Sequence, residues 1–378
     1  LEFINLTIIS STCVTTRISS FIPVWVVYIF SSNGISPSIL QRRFSSSSVR
    51  YNILYISIPF CPTRCSYCSF VSHSIGTDSA KKLVPEYVEK LCEEIEFTAK
   101  KAKENNLKLT SVYWGGGTPT TLTAEQLDKV LTAIENSFDL SGCVEYTVEA
   151  GRPDTITEEK LLTLKKHNVG RISINPQTFS NSVLKEIGRC HTTELTEEKY
   201  RLAREVGFES INMDLIAGLP TDTPKSFKNT LHALLELNPE SITVHSLSVK
   251  RASNISRENT LPEIETGKAA SEMVRYARKT LSEKGILPYY MYRQSKTVGN
   301  LENVGYAKKG HEGLYNVYIM DETHTILACG ASAVTKLREP GGDYIERIFN
   351  FKYPYEYISG FDEIIKRKEN IFSFYEKN

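Results

Sequence analysis

The stretch Cys61-Pro-Thr-Arg-Cys65-Ser-Tyr-Cys68 carries three thiols in a C-x3-C-x2-C spacing, directly after the apolar run 53–58. Thiolates are the soft ligands of iron–sulfur clusters, and four of them saturate a 4Fe-4S cluster. Three cysteines therefore leave one iron open to bind another molecule. Structural zinc is the alternative, but zinc prefers four protein ligands, and only His73 stands near the three thiols in the sequence. The spacing favours a cluster held by Cys61, Cys65 and Cys68.

Outward from this loop, short apolar runs alternate with amphipathic stretches, which is typical of successive βα units around a parallel sheet. Such a series closes or half-closes into a barrel whose sites lie on the loops after the strands. The pattern predicts strands over residues 53–58, 111–114, 145–149, 171–175, 210–216 and 241–247. It predicts helices over residues 86–103, 124–137, 158–167, 194–206 and 224–237.

The alternation of strands and helices stops after residue 262. A long helical pattern over 263–284 is followed by shorter runs with Gly-rich turns and a last amphipathic helix near 354–368. We therefore predict an α/β core domain over residues 51–262 and a smaller α+β cap domain on the substrate side over residues 263–378.

Residues 1–50 differ from the rest of the chain, because they contain twelve Ser and only five charged residues. The Arg- and Ser-rich end of this segment has the composition of an organellar transit peptide, but a disordered or artefactual leader explains it equally well. Its longest apolar run, over residues 21–30, is about half of the roughly 20 residues that a membrane helix requires. We predict no stable membrane span and leave the segment out of the fold.

The composition of the chain excludes some classes of function. The chain has 45 Lys and Arg against 44 Asp and Glu, so it lacks the basic footprint of a nucleic-acid binder. Eight cysteines in 378 residues are too few for a disulfide scaffold, and three of them lie within eight residues. That distribution favours metal binding in a reducing compartment. We predict a cytoplasmic protein without a nucleic-acid partner.

Polar residues follow several predicted strands, on the edge where parallel sheets bind ligands. The run Gly115-Gly116-Gly117-Thr118 follows the second strand, where missing Cβ atoms let the backbone approach a ligand and free N–H groups can donate to it. Glu149, Gln177 and Asp214 close the next three strands. Carboxylates suit ribose hydroxyls and an amide suits an adenine or carboxylate edge, so the shared location predicts a ligand site, although each residue alone reads equally well as a solvated strand end.

The cysteine loop, with Tyr67 before its last Cys, resembles the motif of the radical S-adenosylmethionine (SAM) superfamily, and the glycine run resembles that superfamily's motif for the SAM amino group. The resemblance implies a partial (β/α)6 barrel and a 4Fe-4S cluster that cleaves SAM to a 5'-deoxyadenosyl radical. It also implies that Tyr55 lies beside the cluster, as a catalytic residue. By motif position it implies SAM contacts from Tyr55, Tyr67, Gly116, Gly117, Thr118, Glu149, Gln177, Arg189, Asp214 and Ser248.

Four segments narrow the resemblance to the oxygen-independent coproporphyrinogen III oxidases and their relatives, and the tail is most similar to the HemZ-type coproporphyrinogen dehydrogenase branch. The resemblance implies oxidative decarboxylation of coproporphyrinogen III to protoporphyrinogen IX in haem biosynthesis, with an electron donor such as a flavodoxin or ferredoxin. The four segments are Tyr55-Ile-Ser-Ile-Pro-Phe-Cys61, Trp114-Gly-Gly-Gly-Thr-Pro-Thr120, Glu149-Ala-Gly-Arg-Pro-Asp154 and Asp214-Leu-Ile-Ala-Gly-Leu-Pro220.

Two other functions stay open at this point. Some relatives with the same cluster motif bind haem for transfer to other proteins instead of acting as oxidases, and Phe70, which stands where the oxidases have an extra Cys, is compatible with that role. Another radical SAM modification of a tetrapyrrole is the third reading. Candidate partners for the carboxylates of a tetrapyrrole are Arg171, Arg251 and Arg293, and candidate haem ligands are His191, His245 and His311.

Overall fold

The computed structural model describes residues 25–26, 50–68, 73–249 and 263–377. Of the predicted leader, only Trp25, Val26 and Arg50 are therefore described, and Phe70 and Arg251 lie outside the described residues as well. The described strands are β1 (Trp25–Val26), β2 (Arg50–Ile58), β3 (Phe60–Cys61), β4 (His73–Ser74), β5 (Leu107–Gly116), β6 (Glu145–Glu149), β7 (Arg171–Ser173), β8 (Ser210–Ala217), β9 (Ser241–Ser246), β10 (Leu287–Arg293), β11 (Asn303–Ala307), β12 (Thr325–Cys329), β13 (Val334–Arg338) and β14 (Ile345–Phe349).

Helices alternate with the strands of the core, and none of the described helices is long and apolar enough to cross a membrane. The described α-helices are α1 (Asp78–Glu104), α2 (Ala124–Ser137), α3 (Glu158–Lys166), α4 (Asn181–Glu186), α5 (Thr193–Glu205), α6 (Pro224–Leu237), α7 (Glu263–Glu283), α8 (Leu314–Asp321), α9 (Pro354–Ser359), α10 (Phe361–Lys368) and α11 (Asn370–Lys377).

Hydroxyl caps explain where several helices begin. The Thr123 side chain accepts from the Gln126 N–H at 3.2 Å, and the Gln126 side chain accepts from the Thr123 N–H at 3.0 Å, which closes a capping box. Helix α1 begins eight residues before the predicted start, because Thr77 caps it and Pro85 is accommodated within it. The predicted last helix divides at Gly360 into α9 and α10.

Seven parallel strands form the centre of a twelve-stranded sheet with the order β1-β10-β11-β9-β8-β7-β6-β5-β2-β12-β13-β14. The six predicted strands are present as β2, β5, β6, β7, β8 and β9, each parallel to its neighbour, and β12 adds a seventh parallel strand beside β2. The mixed α/β architecture is the predicted one, and the sheet is open among its described strands, as a partial barrel requires.

Strands from the C-terminal third extend both edges of this sheet. β11 pairs antiparallel with β9, and β10 pairs with β11, so β10 runs in the same direction as β9. On the other edge, β13 and β14 continue antiparallel from β12. The predicted domain boundary at residue 262 stays a prediction, because strands from both of its sides share one sheet.

A buried ion pair ties α1 to the C-terminal helices. Lys368 Nζ lies 2.9 Å from Glu94 Oε1, and both side chains have no exposed area. Glu94 Oε2 also accepts from the Tyr357 hydroxyl at 2.6 Å and from the Gly330 N–H at 2.7 Å. Buried charges are tolerated when they are paired and hydrogen-bonded in this way, so the cluster fixes β12 and the C-terminal helices against the core.

Candidate functional site

The three cysteines lie on the loop that leaves the carboxyl end of β2. Cys61 is in the short strand β3, Cys65 is buried, and the Cys68 N–H donates to the Cys65 carbonyl at 3.1 Å. The Ser66 N–H donates at 3.0 Å to the carbonyl of Ile187, which follows α4. This hydrogen bond attaches the cysteine loop to the end of α4. The three thiols share one loop at the ligand-binding edge of the sheet. The seven described cysteines form no disulfide, so none of these three is bonded to another described cysteine.

The glycine run packs directly against the cysteine strand. Gly116 has φ +103°, and a Cβ on Gly117 would stand 2.6 Å from the Phe60 carbonyl oxygen, so neither position accepts a side chain without strain. The Gly117 N–H donates to Ile58 O at 2.7 Å, and the Thr118 N–H donates to Phe60 O at 2.8 Å. These two N–H groups therefore hold the cysteine strand in place, and the SAM contacts predicted for Gly116, Gly117 and Thr118 stay predictions.

Glu149 ends β6 beside three stacked tyrosines. Its Oε1 accepts from the Tyr113 hydroxyl at 2.6 Å, and a Cβ on Gly115 would lie 3.3 Å from the Tyr55 hydroxyl and 3.2 Å from Glu149 Oε1. Tyr113 stacks on Tyr315 with 4.1 Å between ring centroids, and Tyr55 stacks on Tyr315 at 5.7 Å. Burial raises the pKa of Glu149 to about 7, and burial with the nearby Glu149 charge raises the pKa of Tyr55. Tyr55 therefore remains a neutral phenol.

Asp214 in β8 pairs with His245 in β9, a contact that sequence analysis missed. The His245 Nε2 lies 3.6 Å from Asp214 Oδ2, and Asn212 Nδ2 donates to Asp214 Oδ1 at 2.7 Å. Burial alone would raise the pKa of Asp214, but the hydrogen bond and charge of His245 outweigh it and lower that pKa. Burial would likewise lower the pKa of His245, and Asp214 raises it instead. The register Ile216↔His245 brings the pair together, which only knowledge of strand pairing reveals.

Gln177, Arg189 and Tyr67 form the third part of the edge. Gln177 has φ +69° in the loop after β7, and its buried Oε1 has no hydrogen-bond partner among the described residues. Arg189 Nη2 donates to the Tyr67 hydroxyl at 3.0 Å, and Nη1 donates to the carbonyls of Gly151 and Asn175 at 3.3 and 3.2 Å. The Arg189 Nε is also buried without a partner in the described part of the chain. Unsatisfied buried polar atoms at this edge are typical of a ligand site.

The sequence is similar to that of known proteins over most of its length. The radical SAM superfamily matches residues 55–234. The chain is 45% identical to the oxygen-independent coproporphyrinogen-III oxidase-like protein HemZ of Bacillus subtilis, over 88% of this chain and 68% of that protein. The chain belongs to the oxygen-independent coproporphyrinogen III oxidase-like family of radical SAM proteins. The predicted family, and the predicted cofactors of a 4Fe-4S cluster and SAM, are thereby confirmed.

Two further relatives mark the breadth of this radical SAM family. The heme chaperone HemW of Bacillus subtilis is 33% identical over 80% of this chain and 77% of that protein. The solved structure of coproporphyrinogen III oxidase (HemN) from Escherichia coli, a radical SAM enzyme, matches with a TM-score of 0.66 at 23% identity, over 90% of this chain and 76% of that chain. The HemN match confirms the predicted fold.

The residues at the edge fit the family's cluster. The described residues contain no group of three or more His, Cys, Asp or Glu gathered around one point, as a mononuclear metal centre needs. A 4Fe-4S cluster needs a different arrangement, because each thiolate binds its own iron and the sulfurs stand apart. Cys61, Cys65 and Cys68 on one loop meet that need, with Cys61 Sγ 3.4 Å from Thr118 Oγ1. Their roles and the individual SAM contacts stay predictions.

The remaining candidates for contacts with SAM or a tetrapyrrole lie at two different edges of the sheet. Ser248 follows β9 at the ligand edge, where its hydroxyl donates to Ser295 O at 3.1 Å. Arg293 ends β10 at the same edge and pairs with Glu302. Arg171 instead begins β7 at the opposite edge, where it donates to the carbonyl of His311 at 2.6 Å. Arg171 and His311 are therefore poorly placed to contact a ligand of the cysteine loop.

Proposed function

We propose that the protein catalyses the SAM-dependent oxidative decarboxylation of coproporphyrinogen III to protoporphyrinogen IX. Conversion of a propionate to a vinyl group removes one hydrogen atom from the β-carbon, carbon dioxide, and one electron that passes to an acceptor. When bound, the cluster and SAM supply the radical chemistry that removes the hydrogen atom. A small electron-transfer protein such as a flavodoxin or ferredoxin serves as electron donor.

One observation carries this proposal: Glu149, Asp214 and the cysteine loop lie on one edge of the sheet, around a wall of tyrosines. Glu149 and Asp214 present carboxylate oxygens that accept from ribose hydroxyls or pyrrole N–H groups. Tyr55 and Tyr113 are half-buried beside Glu149, and aromatic rings of this kind pack against a macrocycle and exclude water. Hydrogen abstraction needs such fixed placement of the two reactants.

The tetrapyrrole's carboxylates need cationic partners near this edge. Arg293 fits the role because it stands at the carboxyl end of β10, half-exposed, with Glu302 as its present partner. A propionate that approaches Arg293 replaces or shares the Glu302 carboxylate, and the planar guanidinium can bind it through two N–H groups. Arg293 is thus the substrate-binding cation that we propose.

Haem trafficking is the second candidate function, because the HemW relative is described as a heme chaperone. The predicted haem ligands weaken it. His245 is engaged with Asp214 and lies 3.5 Å from the Tyr292 hydroxyl, and His311 lies at the opposite edge, 3.4 Å from Ser210. His191 has a fully buried side chain. The histidine geometry therefore favours the oxidase.

The deciding experiment is an anaerobic incubation of the reconstituted protein with SAM, a strong reductant and coproporphyrinogen III. Tetrapyrrole masses and 5'-deoxyadenosine are read from the same samples, with Cys65→Ala as the blank. Loss of carbon dioxide from the tetrapyrrole, matched by deoxyadenosine, supports the oxidase. Deoxyadenosine without a tetrapyrrole change, together with haem binding by the same preparation, rejects the oxidase in favour of haem trafficking.

A further inference from the structure

Arg152 in the segment Glu149-Ala-Gly-Arg-Pro-Asp154 has no role in the function described so far, yet its side chain is buried with 3% exposure. Its Nε donates to Asp154 Oδ1 at 3.0 Å and its Nη2 donates to Asp154 Oδ2 at 2.9 Å. This two-point pairing with a carboxylate holds the plane of the guanidinium in one orientation. Arg152 directly precedes the short 3-10 helix Pro153–Thr155, whose Thr155 N–H donates to the Arg152 carbonyl at 3.0 Å, so its backbone is fixed as well.

The free end of the guanidinium points at the cysteine loop. Arg152 Nη1 donates to Thr63 Oγ1 at 2.8 Å and to the Thr63 carbonyl at 3.2 Å. The same Nη1 lies 3.9 Å from Cys65 Sγ, within the range of an N–H···S hydrogen bond. A buried cation therefore contacts both the backbone of the loop and one of its three thiols.

The charges around Arg152 maintain this arrangement at neutral pH. Burial would raise the pKa of Asp154, but the hydrogen bonds and charge of Arg152 outweigh it and lower that pKa, so Asp154 is ionised. His191 Nδ1 lies 3.9 Å from Asp154 Oδ1, and burial with the nearby Arg189 lowers the pKa of His191 to about 4. His191 is therefore neutral, and Arg152 is the cation that Asp154 holds.

We propose that Arg152 is a positioning residue for Cys65 and that it raises the reduction potential of the cluster that Cys61, Cys65 and Cys68 hold. Reduction adds a negative charge to an iron–sulfur cluster, and N–H donors to its sulfurs stabilise the more negative state. Asp154 and Thr63 fix the orientation of the Arg152 guanidinium. The shift in reduction potential therefore depends on the fork of N–H donors and not on positive charge alone. The inference needs the family's cluster and is independent of which tetrapyrrole the protein uses.

The experiment compares Arg152→Met, Arg152→Lys and Arg204→Met with the unaltered full chain, each reconstituted anaerobically. Arg204 is a matched control, since it is also partly buried and pairs with Glu240 at 2.6 Å. Glu240 and Arg204 lie at the opposite edge of the sheet, where Glu240 accepts from the Ile211 N–H at 3.1 Å. The readouts are iron and sulfide content and the midpoint potential from a redox titration followed by electron paramagnetic resonance, so no substrate turnover enters.

We expect Arg152→Met to lower the ratio of reduced to oxidised cluster at a fixed potential about tenfold, which for a one-electron couple corresponds to a midpoint about 59 mV lower. Arg152→Lys should shift it less in the same direction, and Arg204→Met should leave it unchanged. A folded Arg152→Met protein that assembles no cluster also supports the positioning role. Normal iron content with an unchanged midpoint in Arg152→Met overturns the proposal. If Arg152→Met does not fold, the midpoint of Arg152→Lys decides, and an unchanged value overturns it.

Discussion

The two ends of β6 carry the same residue in two different settings. Glu145 begins the strand and Glu149 ends it, four residues apart on the same face, and burial raises the pKa of both. Glu145 accepts from the backbone N–H groups of Leu314 and Tyr315 at the start of α8, and the Arg171 charge partly offsets its burial. Glu149 has the Tyr113 hydroxyl as its hydrogen-bond donor.

The difference between the two carboxylates lies in their hydrogen-bond partners at the two edges of the parallel sheet. At the amino end, Glu145 accepts from the backbone of α8 and is stabilised by the Arg171 charge. Its oxygens therefore have their partners within the protein. At the carboxyl end, Glu149 lies near Tyr55, and one phenol, that of Tyr113, does not saturate the lone pairs of a carboxylate. Residue type and strand are the same for both, so the two settings differ only in the edge of the sheet at which each carboxylate lies.

The strongest test of this contrast between edges compares Cys65→Ala with Cys143→Ala. Cys143 lies just before β6 at the amino edge, where its Sγ lies 3.2 Å from Glu145 O. We expect Cys65→Ala to abolish the 4Fe-4S absorption and to lower 5'-deoxyadenosine formation on the order of a thousandfold or more, since even partners of metal ligands are worth about 10–100-fold. Cys143→Ala should keep both signals. Cluster absorption retained by Cys65→Ala would reject the assignment of the three thiols.

The second test exchanges the two glutamates themselves for glutamine. Glu149→Gln removes a charged acceptor at the ligand edge, so we expect the cluster-loaded protein to bind SAM about 10- to 100-fold more weakly, measured by calorimetry. Glu145→Gln should lower the free energy of unfolding by about 1–3 kcal/mol in urea, because it weakens buried hydrogen bonds to α8. SAM affinity that falls equally in both variants would remove the distinction between the two ends.

The same contrast separates what sequence reasoning reached from what it missed. The helices 124–137 and 224–237 were predicted at their observed bounds, because hydrophobic period and caps act within a short stretch. The positions of Glu149, Gln177 and Asp214 at the ends of predicted parallel strands also placed them at one edge of the sheet. The Asp214–His245 pair, the contact between Arg152 and Cys65, and the strands that extend both edges were missed. Each of these depends on pairing between distant segments, for which no local signal exists.

The pH dependence of SAM binding tests whether the Glu149 carboxylate contacts SAM. Burial is the largest cause of its raised pKa of about 7, with the nearby Asp214 charge adding to it and the Tyr113 hydrogen bond opposing it. The carboxylate is therefore ionised above this pH and protonated below it, about 90% ionised at pH 8 and about 10% at pH 6. We expect SAM affinity to fall up to about tenfold from pH 8 to pH 6, and Glu149→Gln to flatten that change. An equal slope in both proteins would assign the pH dependence to another group.

The smallest expected effect comes from two residues with positive φ, one at each edge. Gln177 (φ +69°) follows β7 at the ligand edge, and Asn168 (φ +58°) precedes it at the amino edge. Glycine relieves the left-handed backbone at either position, so both Gln177→Gly and Asn168→Gly should raise the free energy of unfolding by up to about 1 kcal/mol, less for Asn168 because Asn tolerates this conformation.

Only the variant at the ligand edge should alter SAM binding. Gln177→Gly removes the buried Oε1 that has no partner among the described residues, and the loss of one neutral hydrogen bond to SAM weakens binding about 2- to 10-fold. Asn168→Gly should bind SAM like the unaltered chain, because the residue lies in the turn between α3 and β7 at the amino edge, where its backbone N–H donates to Lys165 O at 3.0 Å. Calorimetry on both proteins separates relief of strain, which they share, from loss of a ligand contact, which belongs to Gln177 alone.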